Sequence, residues 1–178
     1  TKAGAELIAQ YYCHSFKMPI IITRGNNVYG PNQYPEKLIP KFIKQLKNNE
    51  KVTIQGDGST VRAFLHAYDT ARAFECILEN GKKGEIYNIG CDEGMEYSVM
   101  EVAKMLIRMI KDTDDYDNWI TYIEDRLYND ERYYISNQKL RDLGWDIKIK
   151  FEDGLQELVS GKYKINKLKD QQILTFLN

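Results

Sequence analysis

The sequence predicts an α/β protein, in which the last parallel strands and helices of a sheet are combined with a small α+β lobe. Residues 18–23 form a short, β-branched apolar run without polar alternation, which is typical of a strand buried on both faces of a parallel sheet. Similar short runs alternate with segments of helical period along the chain, as expected for a sheet with helices on its faces. No Gly-rich dinucleotide-binding turn follows any of these runs, so the first βαβ units of a nucleotide fold are not predicted here.

Two helices and two further strands are predicted in the first part of the chain. Residues 1–16 carry apolar side chains at helical spacing. Residues 36–49 place five apolar side chains on one helical face: Leu38, Ile39, Phe42, Ile43 and Leu46. Short strands are expected at residues 51–55 and 61–67, separated by a glycine-rich turn at residues 56–59.

The second part of the chain continues the alternation. Residues 69–79 are predicted to form a helix that buries four apolar side chains: Ala73, Phe74, Ile77 and Leu78. A left-handed cap at Gly81 would end this helix, and Ser98 would cap the next one. The remaining predicted elements are strands at residues 85–89 and 119–123, a short helix at 136–143 that stops at Gly144, and a final helix from Glu152.

Charge and composition argue against several classes of partner. The net charge is −1, so the overall charge gives no reason to expect nucleic acid or an anionic membrane as a partner. No apolar run approaches the ~20 residues of a membrane helix. Cys13, Cys76 and Cys91 are too few and too far apart for a zinc site or a disulfide framework. We therefore expect a cytoplasmic protein without a metal site.

A polar loop connects the predicted strand at residues 18–23 to the helix that follows. It contains Asn26, Asn27, a Tyr-Gly-Pro turn and Lys37. Ligands of open α/β sheets bind beyond the carboxyl ends of the strands, which is where this loop would lie. The asparagines are therefore either ligand-binding groups or caps of the next helix, and local chemistry favours neither interpretation.

Four cationic residues fall in predicted loops or at strand ends: Lys37, Arg62, Arg126 and Arg132. Several donors at such positions could meet one anion, and arginine offers the bidentate geometry that suits phosphate. Each arginine taken singly is more simply explained as a solvated surface charge.

Several motifs occur together in one order: Thr1-Lys2-Ala3-Gly4-Ala5-Glu6, the run from Arg24 to Pro40, Gly56-Asp57-Gly58 with Arg62, Tyr87-Asn88-Ile89-Gly90, Asp125-Arg126 with Asn129-Asp130 and Arg132, Leu143-Gly144-Trp145, and Phe151-Glu152-Asp153-Gly154-Leu155. By these motifs the chain resembles the C-terminal half of nucleotide-sugar 4,6-dehydratases, which are members of the extended short-chain dehydrogenase/reductase superfamily. The resemblance covers nearly the whole chain and weakens after about Lys162. It implies that residues 1–178 are the C-terminal portion of one enzyme, with the end of a Rossmann-type NAD-binding domain interleaved with a small substrate-binding lobe.

The resemblance also implies roles for individual residues. Lys2 would be the catalytic lysine of a Tyr-x-x-x-Lys pair, which holds the nicotinamide ribose of NAD and lowers the pKa of a tyrosine upstream of Thr1. Asn27 would approach the same cofactor. The residues implied to bind the nucleotide sugar are Asn26, Lys37, Leu38, Gln55, Arg62, Asn88, Arg126 and Asn129. Without the other motifs, Lys2 would be interpreted as an exposed lysine on an amphipathic helix.

The chain departs from the bacterial thymidine-diphosphate pattern at positions where the family contacts the base. Gln55 and Asn129 stand where those enzymes carry a tyrosine and a histidine. The pattern from Asn129 to Tyr133 resembles eukaryotic dehydratases, including the plant rhamnose-synthase type. These departures favour UDP-glucose over dTDP-glucose.

The implied activity is an NAD-dependent lyase reaction, in which NDP-glucose becomes NDP-4-keto-6-deoxyglucose for rhamnose-type deoxysugar synthesis. A 4-epimerase or decarboxylase of the same superfamily, and a non-catalytic nucleotide-sugar-binding fragment, remain alternatives. The Gly-rich loop, the tyrosine and an acidic pair would all lie upstream of Thr1, so we expect residues 1–178 alone to be inactive. We also expect a homodimer, because residues 1–16 carry apolar side chains over a wide arc and related enzymes pair this helix.

Overall fold

The computed structural model describes residues 1–125, 132 and 134–162. The α-helices in these residues are α1 (Lys2–Phe16), α2 (Leu38–Lys47), α3 (Ala67–Asn80), α4 (Val99–Lys111), α5 (Gln138–Arg141) and α6 (Phe151–Ser160), and a 3₁₀ turn spans Asp117–Trp119. The strands are β1 (Ile22–Gly25), β2 (Asn27–Tyr29), β3 (Val52–Gln55), β4 (Val61–His66), β5 (Ile86–Ile89), β6 (Glu96–Ser98) and β7 (Ile120–Ile123). No helix in this described part is long and apolar enough to cross a membrane.

The strands of these residues form three small sheets. β1 pairs in parallel with β5, β3 pairs in parallel with β7, and β2 pairs in parallel with β4. The other edge of β4 carries β6 in antiparallel orientation. The expected α/β architecture with parallel strands is therefore confirmed.

The strand at the start of the first sheet differs from its prediction. The strand was predicted at residues 18–23, but the observed strand β1 begins and ends later, nearer to the polar loop. Met18, at the start of the predicted run, is 43% exposed. Ile22 and Thr23 are only half-buried. Within the described residues, β1 is paired along one edge, with β5. Helix α1 buries none of its own side chains. The expectation of burial on both faces was wrong for this reason.

The predictions for the helices are confirmed at the start of α4 and are wrong in part for α3. Ser98 caps α4 as predicted, in a capping box where the N–H of Glu101 donates to Ser98 Oγ at 3.1 Å. The face predicted for α3 was partly wrong, because Phe74 and Leu78 are 51% and 82% exposed. Gly81 does not form a left-handed cap either, since its φ is −73°. A Cβ there would collide with the carbonyl oxygen of Ile77, so this position needs a glycine for space.

Two clusters of buried side chains hold the described elements together. The larger cluster joins α2, β3, α4 and α6, and includes Phe42, Ile54 and Phe151. The smaller cluster packs α3 and α5 against β5 around Tyr87 and Trp145. The large cluster is the core of the lobe that carries the cleft described below.

Two buried polar side chains, those of His66 and Asp69, lie at the start of α3. His66 is 1% exposed, and its Nδ1 accepts a hydrogen bond from the N–H of Tyr68 at 3.2 Å, which caps the first turn of α3. The carboxylate of the fully buried Asp69 accepts hydrogen bonds from the N–H groups of Lys148 and Ile149. Burial lowers the pKa of His66, an effect that the Asp69 carboxylate partly opposes.

His66 should make the stability of the fold depend on pH. Its pKa in the folded protein lies below the ordinary value of 6.5, so the unfolded chain binds the proton more strongly. We therefore expect the free energy of unfolding to fall as the pH drops below the ordinary value and through the folded-state pKa. His66→Asn keeps a capping acceptor and should flatten this dependence in urea titrations, whereas His14→Asn, at an exposed position on α1, should keep it. An unchanged pH profile in His66→Asn would contradict the assignment.

Candidate functional site

A cleft of about 670 Å³ opens between the first turn of α2 on one side and β3 and β4 on the other. The step from β1 into β2 and the start of α4 complete its wall. Six of the site residues expected from the sequence line this cleft: Asn26, Asn27, Lys37, Leu38, Gln55 and Arg62. The fold thus gathers side chains that are up to 36 positions apart along the chain.

Asn26 and Asn27 reach the cleft because the chain changes sheets between them. The N–H of Asn26 donates to the carbonyl oxygen of Ile89 at 3.0 Å, at the end of β5. Asn27 begins β2 and lies opposite Phe64 in the ladder with β4. The N-cap of α2 is Lys37, so the interpretation of the asparagines as caps of that helix is wrong.

Cationic side chains reach the cleft from two walls. Lys37 is the residue before α2, and Lys41 lies four residues later, in the first turn of that helix. Arg62 lies on β4, where its Nη1 donates to the carbonyl oxygen of Val61 at 2.8 Å. A carboxylate, that of Glu36, also lines the cleft. Positive charge from two walls suits an anionic ligand such as a diphosphate.

The wall formed by β3 is uncharged. Its side chains alternate, with Val52 and Ile54 fully buried in the core and Thr53 and Gln55 lining the cleft. After this strand the chain turns at Gly56, whose φ of +59° lies in the region that favours glycine. This wall can therefore contribute neutral hydrogen-bonding groups.

Other residues expected from the sequence lie elsewhere. Lys2 is exposed in the first turn of α1 and does not line this cleft. Asn88 lies on β5, where its Nδ2 donates to the carbonyl oxygen of Ser136 at 3.1 Å. Arg126 and Asn129 lie outside the described residues.

Arg132, a candidate anion ligand in the sequence, forms an ion pair in the structure. Its Nε donates to Glu96 Oε1 at 3.0 Å, and Glu96, by this hydrogen bond and by its charge, raises the pKa of the guanidinium. Arg132 does not line the cleft, whose cations in the part of the chain that is described are Lys37, Lys41 and Arg62.

Sequence reasoning missed five polar residues of the cleft: Gln33, Glu36, Lys41, Thr53 and Thr60. Two of them, Lys41 and Thr53, show what the sequence could have indicated. Each has a periodic signal that could have identified it. Lys41 is four residues after Lys37, which is the N-cap of its helix, and Thr53 is two residues before Gln55 on one strand. These spacings place each of the two on the same face as an expected residue.

Comparison with known proteins defines the class of this protein. Residues 1–90 match the NAD dependent epimerase/dehydratase family. This match covers half of the chain, and the chain belongs to that family. The residues that line the cleft lie within the matched residues, except for Val99.

Several relatives of high similarity are 4,6-dehydratases. The dTDP-D-glucose 4,6-dehydratase of Bos taurus is 46% identical over 162 residues, which are 89% of this chain and 45% of that protein. A trifunctional UDP-glucose 4,6-dehydratase, 3,5-epimerase and reductase of Arabidopsis thaliana is 46% identical over 157 residues, which are 88% of this chain and 23% of that protein. The crystal structure of dTDP-glucose 4,6-dehydratase from Bacillus anthracis in complex with NAD has a TM-score of 0.82 and 37% identity, and covers 96% of this chain and 52% of that one. The chain therefore spans about half the length, or less, of these relatives.

Proposed function

We propose that the natural protein containing this chain is an NDP-glucose 4,6-dehydratase, and that it prefers UDP-glucose over dTDP-glucose. The observation that carries this proposal is the cleft, whose walls bring together five of the residues expected to bind a nucleotide sugar and Asn27, which is expected to approach the cofactor. The 46% identity to relatives named as 4,6-dehydratases supports this reaction over 4-epimerisation or decarboxylation. Both dTDP-glucose and UDP-glucose enzymes occur among these relatives, so the preference for uracil rests on Gln55 and Asn129 alone.

NAD is the cofactor that this proposal requires, and the two residues that the resemblance assigns to it suit it chemically. Lys2 offers a cation and Asn27 offers a carboxamide, which are donors for ribose hydroxyls and for the nicotinamide amide. An ion pair between Arg24 Nε and Glu6 Oε2 at 2.9 Å joins the first turns of α1 to β1, two residues before Asn26. When bound, NAD supplies the acceptor and donor of the hydride that moves between C4 and C6 of glucose.

The side chains of the cleft would act by binding and orientation. Lys37, Arg62 and Arg126 would hold the diphosphate, which takes no part in the chemistry. The binding energy of the diphosphate can therefore be used to fix the glucose ring in a reactive position. Asn26 would contact the sugar–nucleotide, and Lys2 would favour the phenolate of the upstream tyrosine by charge proximity.

The activity can be tested on the natural full-length protein with both substrates. UDP-glucose should give a product that has lost one water, and kcat/KM should be higher for UDP-glucose than for dTDP-glucose. Lys2→Met should lower kcat by about 100-fold or more, because a positioned acid–base group contributes on that scale. Lys17→Met, at the other end of α1, should retain activity. Residues 1–178 produced alone should give no product.

The products distinguish the alternatives. A product of unchanged mass would identify an epimerase, and loss of carbon dioxide from a uronic acid substrate would identify a decarboxylase. Binding of nucleotide sugars without turnover by the full-length protein would support a non-catalytic role. A kcat/KM ratio of UDP-glucose to dTDP-glucose at or below one would contradict the uracil preference.

Arg62 and Arg126 should act together on the diphosphate. Arg126→Ala should weaken substrate binding by about 1.5–3 kcal/mol, the range for a charged hydrogen bond. The double variant should lose less than the sum of the two single variants, because both side chains share one ligand. Titration calorimetry measures these losses, with Arg108→Ala on the exposed face of α4 as the control. Fully additive losses would mean that the two arginines bind separate groups.

The natural protein should be a homodimer built partly on α1. No residue of α1 is buried in the described structure, and Leu7, Ile8 and Tyr11 are each 59% exposed or more. A second copy packed on this face would bury them, as closed two-fold symmetry favours. Light scattering at micromolar concentration should give a dimeric mass, which Ile8→Glu with Tyr11→Glu should reduce. Leu78→Glu, at an exposed apolar position on α3, should not change the mass, and a monomeric wild-type protein would refute the proposal.

A further inference from the structure

The ion pair between α1 and β1 has a defined, bidentate geometry. The guanidinium of Arg24 donates to both carboxylate oxygens of Glu6, from Nε to Oε2 at 2.9 Å and from Nη2 to Oε1 at 2.5 Å. Gln10, one helical turn further along α1, donates from Nε2 to the same Oε1 at 3.2 Å. Two parallel hydrogen bonds between a guanidinium and a carboxylate fix the orientation of the two groups as well as their distance.

Stability alone explains this contact poorly. An exposed ion pair contributes little to the free energy of unfolding, and the side chains of Arg24 and Glu6 are 52% and 21% exposed. No residue of α1 is buried in the described structure, so packing does little there to define how the helix is oriented on β1. The ion pair is therefore a contact that can set this orientation.

Both ends of the ion pair lie close in the chain to residues that the resemblance implies in catalysis. Lys2 and Glu6 are four residues apart on α1, so their side chains share one face of the helix. On β1, Arg24 lies two residues before Asn26 and three before Asn27. The pair thus links the residue implied to hold the nicotinamide ribose to the strand end that leads into the cleft.

The ion pair also determines which cation the carboxylate of Glu6 meets. A lysine and a glutamate four positions apart on a helix can pair with each other, and such a pair would hold the ammonium of Lys2 against its own helix. In the structure, the carboxylate pairs with Arg24 and accepts a hydrogen bond from Gln10 instead. This arrangement leaves the ammonium of Lys2 able to bind a cofactor.

We propose that Glu6 is a positioning residue, which together with Arg24 orients α1 so that Lys2 reaches the nicotinamide ribose of NAD. This inference rests on the proposed function and extends it to two residues outside the cleft, to which the resemblance gave no role. In this role Glu6 contacts neither substrate nor cofactor and acts through Lys2. A displacement of about 1 Å can cost about 100-fold in rate, so a contact that adds little stability can still control kcat.

The test measures affinity for NAD as well as turnover, on the natural full-length protein. Glu6→Gln should raise the Kd of NAD by about threefold or more and lower kcat by about tenfold or more, because Lys2 is displaced. The Kd of UDP should not change, since neither Glu6 nor Arg24 lines the cleft. Arg24→Gln frees the carboxylate to pair with Lys2, so its losses should be at least as large, and Glu6→Gln should not add to them.

Removal of Lys2 separates a positioning role from a merely structural one. If Glu6 acts through Lys2, Glu6→Gln should have no further effect on the Kd of NAD in a protein that already carries Lys2→Met. A general weakening of α1 would lower the affinity for NAD equally with and without Lys2, and that result would overturn the inference. Should Glu6→Gln fail to fold, Arg24→Lys allows the same comparison, because it keeps the charge and loses the bidentate geometry.

Glu85 provides a matched control for the loss of an ion pair. Its carboxylate pairs with Lys139 at 2.5 Å, and its carbonyl oxygen accepts from the N–H of Ile22, so it lies at the other end of the sheet formed by β1 and β5. Glu85→Gln makes the same chemical change far along the strands from Arg24. It should leave the Kd of NAD and kcat unchanged, and an equal loss in this variant would overturn the inference.

The outcomes separate this inference from the proposed function. A wild-type protein that binds no NAD, or that forms no dehydrated product from either nucleotide sugar, would refute the proposed function and the role of Glu6 with it. An active wild-type protein whose kcat and Kd of NAD are unchanged in Glu6→Gln would refute the role of Glu6 alone. A rise in the Kd of UDP as large as that of NAD would also overturn it, because the effect would then not be confined to Lys2.

Discussion

The buried carboxylate of Asp69 is the constraint on which much of this structure depends. A charge that is fully removed from water must be compensated by hydrogen bonds, and Asp69 is fully buried at the start of α3. Its partners include the N–H groups of Lys148 and Ile149, and its own carbonyl oxygen accepts from Trp145 Nε1 at 3.1 Å. These bonds fix the segment that leads into α6 against α3, across some eighty positions of the chain.

The position of α6 then determines the wall of the cleft. Phe151, the first residue of α6, stacks on Phe64 with ring centroids 5.1 Å apart and on Tyr97 at 4.3 Å. Phe64 belongs to β4 and lines the cleft. Gly154 leaves room for the hydroxyl of Tyr29, because a Cβ there would lie 2.9 Å from Cζ of that ring. A buried charge far from the cleft thus holds the aromatic core that shapes the cleft.

The parts of the fold that could be predicted from sequence are those in which the cause is local. The capping box at Ser98 involves residues three positions apart, and the apolar face of α2 contains its own signal in Ile39, Phe42 and Leu46. The exposure of Phe74 and Leu78 could not be predicted in the same way. Their spacing is helical, but the buried residues of α3 are Asp69, Ala73 and Ile77. The segment that Asp69 binds determines which face of α3 is buried.

The candidate site shows the same division between local and long-range causes. Their positions at or near the ends of strands and helices made Asn26, Lys37 and Arg62 candidates, because an α/β sheet places its ligands there, and the resemblance to the family gave them their expected roles. Thr53 lies inside a strand, and a polar residue there normally indicates a face in water. Its partly buried position depends on α2 and on β4, which are separate from β3 in the sheet topology and meet it only through the core. A polar residue between two fully buried neighbours therefore becomes informative only when the structure shows whether its own face lies in solvent or in a cleft.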